Sequence, residues 1–116
     1  MAIRCLIVDD NRAFLDTARV LLEREGIEVV GVATTGTDAL RLEEELRPDV
    51  VLIDIRLGNE NGFDLAKRLS SRVILISTHG RDEYAAEIAA SPAAGFIPKA
   101  RLSASAILLL AGAVGD

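Results

Sequence analysis

Three apolar runs in this chain stop at charged residues. Cys5-Leu6-Ile7-Val8 ends at Asp9-Asp10, Val50-Val51-Leu52-Ile53 ends at Asp54, and Gly95-Phe96-Ile97-Pro98 ends at Lys99. Runs of this length, bounded by polar residues, read as strands covered on both faces. Two more strands fit between them, Glu28–Ala33 and Val73–Ser77. Helical spacing fills the gaps. Arg12–Arg24 carries Phe14, Leu15, Ala18, Val20, Leu21 and Leu22 toward one face, and Gly26 lies past its end. Thr37–Leu46 has Thr37 as its expected N-cap, Leu40, Leu42 and Leu46 inward, and Pro48 beyond its end. Phe63–Ser70, Asp82–Ala90 with Asp82 as N-cap, and Ser103–Val114 complete the helices. Residues 56–62 hold two glycines and two asparagines and are expected to form a loop.

Five βα units in succession predict an α/β fold: a parallel sheet with helices on both faces. Proline is tolerated poorly in a central strand, so Pro98 places the fifth strand at an edge. The strand order that satisfies this is 2-1-3-4-5, the flavodoxin-like (βα)5 doubly wound arrangement. Strands one and three are then neighbours. Asp9, Asp10 and Asp54 converge beyond their carboxyl ends, where ligands bind in open parallel sheets.

Composition narrows the function. The chain has 116 residues, enough for one core, with 50% hydrophobic and 27% charged residues. The net charge of −5 and the absence of a lysine-arginine cluster argue against direct nucleic-acid contact. A single cysteine, Cys5, forms no internal disulfide and reads as a small core residue. No apolar run approaches the ~20 residues of a membrane helix and no secretory segment is evident, so a cytoplasmic location is expected.

Two carboxylates about 4 Å apart repel by roughly 4 kcal/mol at an effective dielectric of 20. Three therefore call for a counter-charge, and a hard dication with oxygen ligands, Mg²⁺ or Mn²⁺, supplies it. The ordered set of Asp9-Asp10 after strand one, Asp54 after strand three, Ser77 after strand four and Lys99 after strand five resembles the receiver domain of two-component response regulators, over essentially the whole chain. The resemblance implies a single receiver domain over residues 1–116, with no effector domain in this chain. It implies a phosphorylation-dependent signalling switch, not an enzyme in the ordinary sense; slow Mg²⁺-dependent self-dephosphorylation would be its only turnover. Asp54 would be the phosphoacceptor. Asp9, Asp10, Asp54 and the backbone carbonyl of Arg56 would hold the metal. Lys99 and Ser77 would contact the phosphoryl group, and Ser77 and Phe96 would form the switch. The expected partners are a sensor histidine kinase and, through strand five and the last helix, a second copy or an effector. Lys99-x-x-Leu102-Ser103 also resembles receivers that precede helix-turn-helix transcriptional regulators.

Some positions depart from that pattern. Gly58 stands where proline is usual, Asn61 where aspartate is common, Phe96 where tyrosine is frequent, and Ala100 where proline follows the lysine. A non-proline cis bond costs about 3 kcal/mol, so Lys99-Ala100 is expected to be trans. His79 is read as a loop residue near the site, and Glu43-Glu44-Glu45 as a solvated helix face. The apolar Ala106–Ala111 stretch exceeds what a sheet covers, which points to a further contact surface. Two alternatives compete. One is a phosphotransferase of the haloacid-dehalogenase kind, disfavoured because Arg56 occupies the place of its second acid. The other is a receiver-like interaction module that works without phosphorylation.

Overall fold

The computed structural model describes residues 2–112. Its elements run β1 (Arg4–Val8), α1 (Arg12–Arg24), β2 (Glu28–Ala33), α2 (Gly36–Leu46), β3 (Val50–Asp54), β4 (Arg56–Leu57), β5 (Glu60–Asn61), α3 (Gly62–Ala66), β6 (Arg72–Ser77), α4 (Ala85–Ala90), β7 (Gly95–Pro98) and α5 (Ala104–Ala111). Short 3₁₀ turns precede α4 at Arg81–Tyr84 and follow β7 at Lys99–Arg101. The main sheet is wholly parallel in the order β2-β1-β3-β6-β7, which is 2-1-3-4-5 when its own strands are counted. Pro98 lies on the edge strand, as expected.

The unbroken apolar runs follow from this order. Cys5–Val8 and Val50–Ile53 have no solvent exposure, because helices cover both sheet faces. Successive side chains point to opposite faces. Cys5, Ile7, Val50, Leu52, Ile74 and Ile76 therefore pack with Leu15 and Leu22 of α1 and Ile107 of α5. Leu6, Val8, Val51, Ile53, Val73 and Leu75 pack with Ala39 of α2, Phe63 and Leu65 of α3, and Ile88 of α4.

Local details differ from the sequence reading where a cap or a tertiary contact overrides periodicity. The N-cap of α2 is Thr35, not Thr37; its side chain accepts from Asp38 N. The buried face of α2 is Gly36, Ala39 and Glu43, and Leu40, Leu42 and Leu46 are only half-buried. Val20 is 56% exposed and lies off the inward stripe of α1, which is Leu15, Ala18 and Leu22. Helix α3 starts at Gly62 and stops at Ala66, four residues short of Ser70. Asp82 caps nothing, because its segment is a 3₁₀ turn without a side-chain cap. Helix α5 begins at the Ser103 cap and ends at Ala111; residues 113 and 114 of the expected helix lie outside the described residues.

Glu43 is buried rather than solvated. Its Oε2 accepts the backbone N–H groups of Ser70 at 2.8 Å and Ser71 at 2.7 Å, satisfying the turn that feeds β6. Residues 56–62 are not an open loop either. Arg56–Leu57 and Glu60–Asn61 pair antiparallel across Gly58-Asn59. Gly58, at φ +59, takes the left-handed backbone that opens a two-residue hairpin turn. A proline there, fixed near φ −65°, could not. The far strand is tied to α2 by Glu60, whose carboxylate oxygens both accept Gly36 N at 3.1 Å.

Candidate functional site

The register of the sheet assembles the site. Val8 pairs with Ile53, so Asp9 and Asp54 follow side by side. Asp54 pairs with Ile76, one residue before Ser77, and Ser77 pairs with Pro98, one residue before Lys99. The five strand-end residues Asp9, Asp10, Asp54, Ser77 and Lys99 therefore meet at the carboxyl edge, beside the point where the strand order reverses between β1 and β3.

Asp9 is fully buried, Asp54 is 7% exposed, and Asp10 faces solvent. Each offers a carboxylate oxygen, and these oxygens lie within 4.8 Å of one another. The two buried acids are held by neighbouring main chain. Asp9 Oδ1 accepts Asn11 N at 2.9 Å, and Asp54 Oδ1 accepts Arg56 N at 3.2 Å. The N-cap of α1 is Asn11, whose side chain accepts Phe14 N at 3.1 Å, so the Asp9-Asp10 pair is not consumed in capping.

Lys99 closes the cluster. Its Nζ is 2.6 Å from Asp9 Oδ2 and 3.2 Å from Asp54 Oδ2, and it lies 4.4 Å from the centre of the Phe14 ring. The peptide bonds of the described residues include no cis bond, so Lys99-Ala100 is trans and the lysine still reaches both acids. Asp9 Oδ2 is buried, and its close neighbour is the Lys99 ammonium, which it shares with Asp54. Three carboxylate oxygens within 4.8 Å of one another, with the Lys99 ammonium shared between two of the acids, fit a hard dication, for which all-oxygen donors are preferred. Asp9, Asp10 and Asp54 could hold one.

The electrostatics are consistent with such crowding. Burial and the nearby Asp9 push the Asp54 carboxyl above the usual carboxylate range, against the opposing pull of Lys99. Burial alone would lower the Lys99 ammonium, but Asp9 and Asp54 outweigh it and hold its proton more tightly than usual. Cys5 is pushed up to about 12 by burial, so its thiol is inert core.

Ser77 is buried, and its Oγ accepts His79 N at 3.0 Å, which leaves its own proton free to donate. Phe96 is buried in the face of the sheet that carries α4, with the Arg81 guanidinium 6.0 Å from its ring centre. His79 is exposed in the loop after β6, with its ring 3.8 Å from Glu83. The sequence did not foretell Phe14 as a wall for Lys99. Nor did it foretell the Arg56 side chain, whose Nε donates to the Tyr84 hydroxyl at 2.7 Å. Neither residue has a motif of its own; each is placed by α1 or the 3₁₀ turn docking against the sheet.

Helix α5 buries Ala104, Ile107 and Ala111 and leaves Leu108 and Leu109 at 49% and 82% exposure. It is held at both ends from a distance. Glu25 accepts Ala104 N at 2.7 Å, and the Arg72 guanidinium donates to the Ala111 carbonyl. No helix among the described residues is long and apolar enough to cross a membrane.

Comparison with known proteins agrees with this geometry. The family profile described as the response regulator receiver domain matches residues 5–108. The response regulator GacA of Pseudomonas aeruginosa is 32% identical over 103 residues, covering 84% of this chain and 48% of that protein. The transcription regulator BvgA of Bordetella pertussis is 34% identical over 101 residues, covering 83% and 48%. The chain thus spans about half the length of these curated relatives. Among solved structures, the NarL signal receiver domain from Mycobacterium tuberculosis superposes with a TM-score of 0.84 at 30% identity, covering 99% of this chain and 98% of that one. With the acidic cluster, the lysine and the 2-1-3-4-5 sheet in place, this chain belongs to the receiver domains of response regulators, which are regulatory signalling domains.

Proposed function

We propose that this receiver works as a switch thrown by phosphorylation of Asp54, with a sensor histidine kinase as the phosphoryl donor. The observation that carries the reading is Asp54 itself: buried, 3.2 Å from Lys99, and within 4.8 Å of the carboxylate oxygens of Asp9 and Asp10. An Asp54 carboxylate oxygen attacks the phosphorus of a phosphohistidine. The new O–P bond forms as the N–P bond breaks, and the imidazole leaves with the electron pair and takes up a proton. Mg²⁺ or Mn²⁺, held by Asp9, Asp10, Asp54 and the backbone carbonyl of Arg56, would neutralise charge on the transferring group when bound. Lys99 pairs with one phosphoryl oxygen as a point charge. Ser77 donates its free hydroxyl proton to another.

The drawing-in of Ser77 shifts the loop after β6, and Phe96 repacks with it, so that phosphorylation changes the populations of two conformers. The output surface is β7 with the exposed Leu108 and Leu109 of α5, offered to a second copy or an effector; direct nucleic-acid contact by this domain is not part of the reading. A cytoplasmic site of action suits a kinase partner of this kind. Slow hydrolysis of the aspartyl phosphate is the only turnover.

The test is incubation with acetyl phosphate and Mg²⁺, followed by intact mass, beside an Asp54→Asn control. One added phosphoryl group, absent in the control and absent with EDTA, supports the reading. An unmodified parent, or equal labelling of the control, would refute it. Turnover of p-nitrophenyl phosphate would revive a phosphatase reading in its place.

A further inference from the structure

Arg56 has a side chain that the site as described does not use. Its backbone N–H already bonds Asp54 Oδ1, so its stem begins at the phosphoacceptor. Its guanidinium is parked elsewhere. Nε donates to the Tyr84 hydroxyl at 2.7 Å, the group lies 5.9 Å from the Tyr84 ring centre, and a terminal nitrogen is 3.7 Å from Glu83 Oε1. Neither hold neutralises the guanidinium fully. The hydroxyl is a neutral acceptor, the Glu83 contact is long, and both side chains of that ion pair are well exposed.

Charge accounting says where the guanidinium would go. Asp9, Asp10 and Asp54 carry three negative charges against the single positive charge of Lys99, and one dication balances the difference. Phosphorylation replaces the one charge of Asp54 with a group of about −1.5 to −2. Roughly one negative charge is then uncovered, and Lys99 is already shared between two acids. Arginine presents a planar fork of donors that matches phosphate oxygens two at a time, and an anionic acceptor adds a charge attraction that a neutral hydroxyl does not offer.

We propose that the Arg56 side chain is a second phosphoryl-binding cation, held in reserve on Tyr84 and drawn onto the phosphoryl group once Asp54 carries it. The proposal rests on the phosphoacceptor reading of Asp54. It makes the Tyr84 hydroxyl a competitor of the phosphoryl group, so loss of the guanidinium weakens phosphoryl binding whereas loss of the hydroxyl does not.

The experiment uses the whole chain and beryllofluoride as the phosphoryl mimic, with Mg²⁺ present. Arg56→Met keeps the length of the side chain and the backbone carbonyl but removes the charge. Measured at saturating Mg²⁺, its affinity for beryllofluoride is expected to fall about ten-fold or more, the scale of one charged hydrogen-bonding contact. Tyr84→Phe frees the guanidinium and is expected to bind beryllofluoride as tightly as the parent or up to about five-fold more tightly. Should Arg56→Met fold poorly, Arg56→Lys keeps a point charge and is expected to bind between the parent and a fully neutral side chain. Because Tyr84 is the sole tyrosine and the chain has no tryptophan, intrinsic emission reports this contact directly. It should change in the parent on adding beryllofluoride and change less in Arg56→Met.

Parent-like binding by Arg56→Met overturns the proposal. So does weakened binding by Tyr84→Phe, which would mark the pair as a structural strut. A parent that neither binds beryllofluoride nor accepts phosphate from acetyl phosphate overturns the phosphoacceptor reading instead, and this proposal with it.

Discussion

Neutralising Asp54 should stabilise the fold, and by an amount that depends on pH. At an effective dielectric of 20, Lys99 at 3.2 Å attracts the ionised carboxylate by roughly 5 kcal/mol, and Asp9, within 4.8 Å, repels it by roughly 3–4 kcal/mol. Asp10 adds a smaller repulsion because it faces water. The pair terms nearly cancel, so the cost of burying the charge decides the balance. Burial is indeed the largest cause of the raised Asp54 carboxyl. Asp54→Asn keeps the shape, removes the charge, and leaves Lys99 paired with Asp9 at 2.6 Å. A gain of about 1–2 kcal/mol at pH 7 in the absence of divalent metal is expected.

The pH window follows from the direction of the shift. Asp54 holds its proton more tightly folded than unfolded, where it titrates near 3.8. Below that value both states are protonated and the site costs nothing. As pH rises through it and on to the raised folded value, the unfolded chain releases its proton first, and stability falls. Lys99, also raised, contributes stability that is lost only above its ordinary 10.5, outside this window. Urea unfolding followed by circular dichroism, in EDTA at pH 7 and near pH 3.5, measures the difference between variant and parent. The advantage of Asp54→Asn should be present at pH 7 and largely gone at the acid end. An equal advantage at both pH values would mean that the amide simply packs better. No advantage at pH 7 would mean that Lys99 has already compensated the charge.

Further expectations test the site and its supports. Glu43→Ala leaves the N–H groups of Ser70 and Ser71 without their acceptor and should cost about 2–4 kcal/mol in urea unfolding, whereas Glu43→Gln, which retains an acceptor oxygen, should cost much less. A methyl group at Gly62 would lie 2.3 Å from the Asp54 carbonyl oxygen, so Gly62→Ala should displace the Asp54 main chain and weaken Mg²⁺ binding at least ten-fold by calorimetry, beyond any loss of stability. Mg²⁺ at 100 times its dissociation constant should raise the unfolding free energy by about 2.7 kcal/mol, an effect that Asp9→Asn removes and EDTA reverses.

The parts of this molecule that were legible in the sequence are those fixed by burial and register. Cys5–Val8 and Val50–Ile53 admit no polar residue because both of their faces are covered, so the runs announce central parallel strands, and their ends announce the site. Asp9, Asp54, Ser77 and Lys99 could be placed for that reason alone: a strand end is a fixed address once strand order is known. What was not legible is set by contacts distant in sequence. Glu43 looks like one of three solvated glutamates until the turn at Ser70-Ser71, 27 residues on, presents two N–H groups to it. Residues 56–62 look like a loop because glycine and asparagine disfavour strands, yet that composition also suits a two-residue hairpin, and Glu60 fixes it by reaching α2. Arg56 is the sharpest case. In the sequence its backbone carbonyl enters as an expected metal ligand, but its side chain counts only as the missing second acid of a different enzyme class. In three dimensions its backbone holds one oxygen of Asp54 while its side chain rests on a hydroxyl 28 residues away. The residues at the strand ends are thus placed by the sheet itself, and the features hidden from the sequence sit in side chains that bridge between loops, where no local pattern records them.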